Sequence, residues 1–349
     1  MLINSKKNKI APISIFFLLY ISRIVITMTN IQSVTMGKMK TDILVSVLLS
    51  MGLTLILSMP AILCYQKHKS PFDVKWLGFI YSLYFIFLAA LNISRFAYFA
   101  STTLNPDTQA WIFIIIVTAC AGYGALLGIE GIARFTSFAF VLLMAAILSV
   151  LIFNVKNYDE LNLYPAFTND VDTVIKNTLL MTSSSGEMVI FLCLSKHING
   201  NGVKPYVRSV TMSYLTIFVL FLFVIAVMGD AAALQSFPLY TFFQLAKVSL
   251  FQRLDVLHIS FWILGIFVKS VLLIYCASIS FKPIKNKTKC VVGSVLTFGS
   301  AVLITMLINS GKMKPAFYAI PFVIFCVIVP LITLIFKKRN YGDELVEKF

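Results

Sequence analysis

Long apolar runs, separated by short polar connections, follow one another along almost the whole chain. Ten of these runs contain at least about 18 residues, the length that a helix needs to cross the hydrocarbon core of a bilayer. The pattern therefore predicts an all-α integral membrane protein with ten transmembrane helices. The predicted spans cover residues 10–27, 43–63, 76–100, 110–127, 135–153, 174–194, 210–228, 257–279, 290–308 and 316–336.

Composition agrees with a membrane protein. The mean hydropathy is +0.91, and only 12% of the residues are charged, against roughly 25% in average soluble domains. The ten spans leave no segment for a soluble domain. The six cysteines and three histidines are scattered without paired spacing, so we expect no disulfide framework, no metal site and no cofactor.

Lysine and arginine are distributed unequally between the two sides that ten spans define. If the N-terminus is cytoplasmic, eighteen of the 29 lie in inner segments, eight in outer segments and three within spans. Because positive loops stay in the cytoplasm, residues 1–9 and the basic residues 337–349 are predicted to be cytoplasmic tails. The net charge of +15 then reflects topology and contact with anionic lipids of the bilayer, and no nucleic-acid partner is expected.

Two predicted outer loops are longer than the others. One covers residues 154–173, and the second follows the seventh span. In the second loop, apolar side chains recur every three or four residues after Pro238, which indicates a short helix lying on the outer face of the membrane. These side chains are Tyr240, Phe243, Leu245 and Val248.

Three ionisable side chains lie near the middle of predicted spans: Arg23, Glu187 and Lys269. Such residues are expensive in a membrane and usually face a cavity or each other. The spans divide into two sets of five, residues 10–153 and 174–336, and Arg23 and Glu187 then occupy equivalent first and sixth spans. Transporters built from five-plus-five inverted repeats, the LeuT-type fold, break these two helices and bind substrate there. We therefore expect a 5+5 inverted repeat with broken helices 1 and 6.

The three serines and the glycine that precede Glu187 suit a polar, unwound break, because serine hydroxyls satisfy freed backbone groups and glycine tolerates unusual backbone angles. The alternative is a continuous helix whose serines bond back to the preceding turn. Arg23 has two open roles: an ion pair with Glu187 that only joins two helices, or contact with a carboxylate ligand. The candidate ligand-binding residues are Ser22, Arg23, Thr27, Ser183, Ser184, Ser185, Gly186 and Glu187.

Lys269 has three open interpretations. Its ammonium group can replace the sodium ion that related transporters hold between the first and eighth spans, it can exchange protons when desolvated, or it can face a water-filled vestibule. Arg95 lies toward the outer end of the third span, where it can snorkel to the interface. It is therefore a weaker candidate for a functional residue than the three ionisable residues at mid-depth. No enzyme activity is expected, since the serine run does not fit a nucleophile elbow and His258 lies at a membrane edge.

Several strings occur together in a characteristic order: "AGYGALLGIEGIARFTSFAF", "LNLYPAF", "SSGEMVIFLCL" and "FPLYTFFQLAKVSLFQRLDVLHISFWILGIFVKSVLLIY". In these strings the chain resembles the GerAB-like spore germination permeases, the B subunits of GerA-type germinant receptors. Those proteins belong to the amino acid–polyamine–organocation (APC) superfamily. The resemblance covers roughly residues 10 to 336. The chain departs from the family pattern at "YISRIVI", which lacks a glycine, at Ser185, where an aromatic residue is frequent, and at Lys247, where arginine is frequent.

The resemblance implies a subunit in the inner membrane of a dormant spore. Such a subunit binds a small germinant, typically an amino acid, between spans one, three, six and eight, and acts with separate A- and C-type subunits. Two of the departures lie in the presumed pocket, so the ligand itself does not follow from the family. Three functions stay open: a germinant sensor, a proton- or cation-coupled amino-acid transporter, and a channel or scaffold subunit with a vestigial pocket.

Overall fold

A computed structural model of the chain describes residues 9–26, 40–166, 171–246, 255–281, 286–313 and 316–336. These residues form helices joined by short connections. Wider π-helical turns extend one helix at Ala100–Leu104 and link two others at Val323–Ile328. The helices are α1 (Pro12–Ile26), α2 (Asp42–Leu57), α3 (Met59–Gln66), α4 (Lys75–Phe99), α5 (Ala110–Leu126), α6 (Gly128–Asn154), α7 (Val171–Ser183), α8 (Glu187–Leu194), α9 (Val203–Met228), α10 (Ala231–Leu234), α11 (Pro238–Leu245), α12 (Asp255–Ser280), α13 (Asn286–Asn309), α14 (Ala316–Phe322) and α15 (Val329–Phe336).

The chain is a multi-pass membrane protein. Within the described residues, eight helical segments are long and apolar enough to cross a bilayer, where neighbouring helices that continue one another count as one segment. The apolar helices α1 and α5 are shorter, with 15 and 17 residues, and they coincide with the predicted first and fourth spans. Every predicted span thus contains a helix, while the count of ten crossings stays a prediction.

Proline and glycine mark several of the helix boundaries. Pro238 stands in the first turn of α11, where its missing N–H has no intrahelical partner to lose, and a helix there was expected from the apolar spacing. Gly128, with φ of +79°, turns the chain from α5 into α6. Gly229, with φ of +53°, ends α9, and its N–H donates to the Ile225 carbonyl at 2.8 Å.

The helices pack in two groups. One group consists of α4, α5, α12 and α13, and the other contains α1, α2, α3, α7, α8 and α9. The groups meet where α1 packs against α12, and α6 contacts helices of both. Each group draws on equivalent spans of the two predicted halves: the first, second, sixth and seventh spans in one group, and the third, fourth, eighth and ninth in the other.

Close approach of α1 and α12 depends on Gly265. A Cβ atom at this position would lie 2.5 Å from Cγ2 of Val25, which is too near for any side chain to fit without movement. Lys269 follows one turn later on the same face of α12, so the same close packing brings its side chain to α1.

The predicted break in the first span is not seen in α1, which runs as one helix through Ser22 and Arg23 to Ile26. Thr27, one of the predicted ligand-binding residues, and the rest of residues 27–39 lie outside the described part of the chain.

The end of the bundle at which α1 begins is closed by local contacts. The Ile10 N–H donates to the His197 carbonyl at 2.8 Å, and the Asn199 N–H donates to the Ile10 carbonyl at 3.0 Å. Beside them, Lys196 Nζ lies 2.6 Å from Asp73 Oδ1. The two backbone hydrogen bonds tie the start of α1 to the residues that follow α8, and the ion pair ties those residues to the segment before α4.

We expect Gly265→Ala to lower the melting temperature of the detergent-purified protein, because overpacking between α1 and α12 costs about 1–3 kcal/mol. The matched control is Gly293→Ala on α13, where an added Cβ meets nothing within 4 Å and alanine favours the helix by up to about 1 kcal/mol. Thermal unfolding of the two variants side by side is the measurement. Equal melting temperatures would show that the α1–α12 contact tolerates a side chain.

Candidate functional site

The helix of the predicted sixth span is broken at its middle. α7 ends at Ser183 and α8 begins at Glu187, so the interpretation as one continuous helix is wrong. The Ser183 hydroxyl donates to the Leu180 carbonyl at 3.0 Å, and the Ser184 hydroxyl donates to the Met181 carbonyl at 2.7 Å. The serines therefore bond back to the preceding turn and satisfy carbonyl groups at the end of α7.

Glu187 lies between two buried cations that come from different helices. Its Oε2 is 3.1 Å from Arg23 Nη2 on α1, and its Oε1 is 3.4 Å from Lys269 Nζ on α12. The Ser22 hydroxyl donates to Glu187 Oε1 at 3.1 Å, and Lys269 Nζ donates to the Ser22 carbonyl at 2.9 Å. Arg23 and Glu187 are each 2% exposed, and Lys269 is 5% exposed. We call Arg23, Glu187 and Lys269 the charged triad.

The charged triad has a surplus of positive charge when all three groups are ionised. One carboxylate serves two cations in a region from which water is largely excluded, and unbalanced charge in such a region is costly. Glu187 stands in the first turn of α8, where the helix dipole favours a negative charge. The two cations and the helix N-terminus both favour the ionised form of Glu187. A second negative charge would make the three groups neutral as a set.

Hydroxyl and aromatic side chains pack beside the charged triad on the side of α2 and α9. The Arg23 guanidinium lies over the Tyr214 ring, 4.9 Å from its centroid. The Tyr214 hydroxyl is 2.8 Å from Thr54 Oγ1, and Ser185 Oγ is 3.3 Å from the same Thr54 atom. Ser185 thus fastens the break to α2 and α9. The sequence analysis missed Tyr214 and Thr54, which carry no signal that distinguishes them from other polar residues in apolar spans.

A small cavity adjoins the break on the side away from this hydroxyl cluster. Its volume is about 40 Å³, which holds water but is far below the 300–1,000 Å³ of ordinary ligand pockets. Among the described residues, the cavity is therefore too small for an ordinary ligand. Of the predicted residues, Ser183, Ser184, Gly186 and Lys269 line the cavity, whereas Ser22, Arg23, Ser185 and Glu187 are not among its lining. The other lining residues are Ile26, Leu88, Leu91, Asn92, Arg95, Ile190, Leu273 and Tyr318.

Arg95 and Tyr318 also belong to the cavity lining, and the sequence analysis gave little weight to Arg95 and none to Tyr318. The Arg95 guanidinium lies over the Tyr318 ring, 5.2 Å from its centroid. Arg95 follows Asn92 by three residues on α4, so both side chains share one face of that helix. This spacing was readable in the sequence, but the face that meets the cavity was not.

A family model described as "Spore germination protein" matches residues 9–318 of the chain. The chain belongs to the spore germination permease family. It is 27% identical to spore germination protein KB of Bacillus subtilis (strain 168) over 285 residues, which cover 76% of each chain. It is 21% identical to spore germination protein XB of Bacillus anthracis, over 66% of this chain and 65% of the relative. Spore germination protein YndE of Bacillus subtilis (strain 168) is 25% identical over 63% of each chain.

Solved structures of transporters share the fold of this spore germination permease. A Na⁺-coupled sialic acid symporter in a substrate-bound outward-open state aligns with a TM-score of 0.61 at 12% identity, over 97% of this chain and 82% of the symporter. The nucleobase–cation symporter Mhp1, closed with bromovinylhydantoin bound, aligns with a TM-score of 0.52 at 13% identity, over 88% and 75% of the two chains. The fold is therefore LeuT-like, and the family and these neighbours are permeases and transporters rather than enzymes.

We expect Glu187→Gln to be strongly destabilising, by about 3–5 kcal/mol, because it leaves two buried cations without a carboxylate. Lys269→Met should cost less, since the Arg23–Glu187 pair stays balanced. The control is Asp172→Asn, which breaks an exposed pair with Lys176 and should cost less than about 1 kcal/mol. Thermal unfolding of the detergent-purified variants ranks the three substitutions by the stability that each one removes. A larger loss in Lys269→Met than in Glu187→Gln would contradict the charge balance described here.

Proposed function

We propose that the chain is the membrane subunit of a spore germinant receptor, and that it binds a small germinant, an amino acid, beside the break between α7 and α8. The observation that carries this proposal is the positive charge of Lys269, which is buried, and of Arg95, which is partly buried, in the wall of a small cavity at a broken helix. Family membership supplies the spore context. On the same basis we infer A- and C-type partner subunits and a location in the spore inner membrane.

An amino acid fits the polarity of the site. Its carboxylate supplies an anion to Arg95 and Lys269, two cations that line the cavity, and the C-terminal end of α7 carries the partial negative charge that suits an ammonium group. Ser183 and Ser184 line the cavity at that helix end, where their hydroxyl oxygens keep acceptor capacity while their hydrogens bond back to α7. Because the cavity is small, ligand entry requires opening of the bundle.

The proposed architecture is ten spans arranged as a 5+5 inverted repeat, with both termini in the cytoplasm. The two helix groups, which draw on equivalent spans of the two halves, support the repeat. The excess of lysine and arginine on one side supports the orientation. In this orientation the contacts between Ile10 and the residues after α8 close the cytoplasmic end, and Arg95 lies toward the outer end of the cavity.

We assign Lys269 the role of a built-in cation. Its Nζ rests on the Ser22 carbonyl of α1 while its own backbone belongs to α12, so one covalently attached charge joins the two helix groups. A Na⁺-coupled transporter of this fold uses a free ion for coupling, whereas a lysine stays with the protein. A sensor with this arrangement responds to its germinant independently of sodium.

A germinant can trigger a response only if it binds two conformations with different affinity. We infer that the packing seen here, with a small cavity and an intact triad, is one of these two conformations. With the triad intact, α1, α8 and α12 are held together, and a ligand carboxylate that competes for Arg23 or Lys269 favours a rearranged packing. The partner subunits would sense that rearrangement.

A second candidate function is a proton- or cation-coupled amino-acid transporter of the APC superfamily. The likeness to two solved symporters favours it, because the same fold moves solute in those proteins. Flux of radiolabelled amino acids into proteoliposomes separates the two functions: a receptor subunit binds its ligand without accumulating it, whereas a transporter accumulates it against a cation gradient.

We expect one or a few compounds, in a thermal-shift screen of amino acids and common nucleosides, to stabilise the detergent-purified protein. At a ligand concentration of a hundred times Kd, the gain is about 2.7 kcal/mol. Gly186→Leu should abolish the gain in stability, because even an added Cβ at position 186 would lie 3.0 Å from Leu88 Cδ1 in the cavity wall. Glu187→Gln should also weaken it, because without the carboxylate the packing of α1, α8 and α12 beside the cavity is lost.

The matched controls are Gly293→Leu, at an uncrowded position of α13, and Glu130→Gln, in the first turn of α6. Both should keep the ligand response. A response that survives in Gly186→Leu would place the binding site elsewhere and contradict the proposal.

A further inference from the structure

We propose that Arg95 and Tyr318 form a carboxylate subsite in the cavity, distinct from the charged triad, and that it selects small carboxylates over their uncharged amides. The inference rests on the proposed function, because it names the ligand group that the proposed pocket recognises. It assigns recognition of the ligand carboxylate to α4 and α14 instead of to the charged triad.

Arg95 is a cation of the cavity wall without a counter-ion in the described part of the chain. Its guanidinium contacts the face of the Tyr318 ring, whereas Arg23 and Lys269 share Glu187. A guanidinium within a predicted span is expensive when no anion balances it. The fork of N–H donors on a guanidinium matches a carboxylate in a bidentate arrangement.

Tyr318 supplies the second group. Its side chain is 6% exposed and lines the same cavity, and its hydroxyl has no hydrogen-bond partner among the described residues. A buried hydroxyl without a partner is unfavourable by itself. The ring orients the Arg95 guanidinium, and the phenolic O–H is available to donate to an anion that binds there.

The face of α4 places this subsite relative to the break. Leu88, Leu91, Asn92 and Arg95 follow the spacing i, i+3, i+4 and i+7, and all four line the cavity. Asn92 Nδ2 donates to Ser270 Oγ at 2.9 Å, so Asn92 lies at the level of the α12 residues around Lys269. Arg95 lies one turn farther along α4.

A ligand carboxylate at Arg95 therefore leaves the remainder of the molecule between the two leucines and the break. The volume of the cavity limits the first candidates to small acids. Arg95 and Lys269, both cations, line this space, which disfavours a ligand without an anionic group.

The competing explanation is a purely structural contact that pins α4 to α14. Tyr318→Phe separates the two, because it keeps the ring beneath the guanidinium and removes only the hydroxyl. A structural pin predicts no change in ligand affinity. A carboxylate subsite predicts a loss of affinity for carboxylates alone.

The test compares propionate with propionamide, which has the same shape without the charge, in thermal-shift titrations of the detergent-purified protein at constant ionic strength. We expect propionate to stabilise the protein at a concentration at least tenfold lower than propionamide. Arg95→Gln should abolish this preference. Tyr318→Phe should raise the propionate concentration needed for stabilisation at least fivefold and leave the concentration needed for propionamide unchanged. The matched controls are Arg134→Gln and Tyr123→Phe, on exposed positions of α6 and α5.

Equal effects of the two compounds on the unsubstituted protein, or a preference that persists in Arg95→Gln, would overturn the subsite. If Arg95→Gln does not yield folded protein, the Tyr318→Phe titration decides. If an amino acid stabilises the unsubstituted protein, Tyr318→Phe and Arg95→Gln equally, that result would contradict the subsite but not the proposed function. An Arg95-dependent preference for propionate without any response to amino acids would support the subsite and contradict the proposed germinant class.

Discussion

The contact between Glu187 and two cations from other helices is the interaction on which the site depends. A single carboxylate at the start of α8 holds Arg23 of α1 and Lys269 of α12, so it joins three helices that belong to two packing groups. Without it, two positive charges would lie buried and unbalanced. The break before Glu187 serves this contact, because it allows the carboxylate to stand at a helix N-terminus in the middle of a span.

The balance of buried charge also connects the small cavity to the proposed function. Both the charged triad and the described wall of the cavity have more positive than negative charge, and this surplus is costly while no further anion compensates it. Under the proposed function, a small anionic ligand would change this balance and favour another packing of α1, α8 and α12. That change in packing would be the step that follows germinant binding in the proposal.

The features that the sequence predicted are those that the bilayer dictates locally. Span positions follow from the length of apolar runs, and the break at Ser184 to Gly186 follows from polar residues where a helix in lipid would avoid them. An ion pair with Glu187 was one of the two roles left open for Arg23, because both residues lie at mid-depth in equivalent spans, and the structure contains that pair. The side on which each residue faces was not predictable. Ser185 is turned away from the cavity by Thr54 and Tyr214, and Arg95 meets Tyr318 through tertiary packing between distant segments.

Amide hydrogen exchange at the break between α7 and α8 tests the central claim most directly. The purified protein would be compared in buffer and in a saturating mixture of the common amino acids. The account predicts slower exchange across residues 183–190 in the presence of the mixture, with exchange in α13 unchanged. Unchanged exchange at the break would contradict the claim that a germinant binds beside the charged triad.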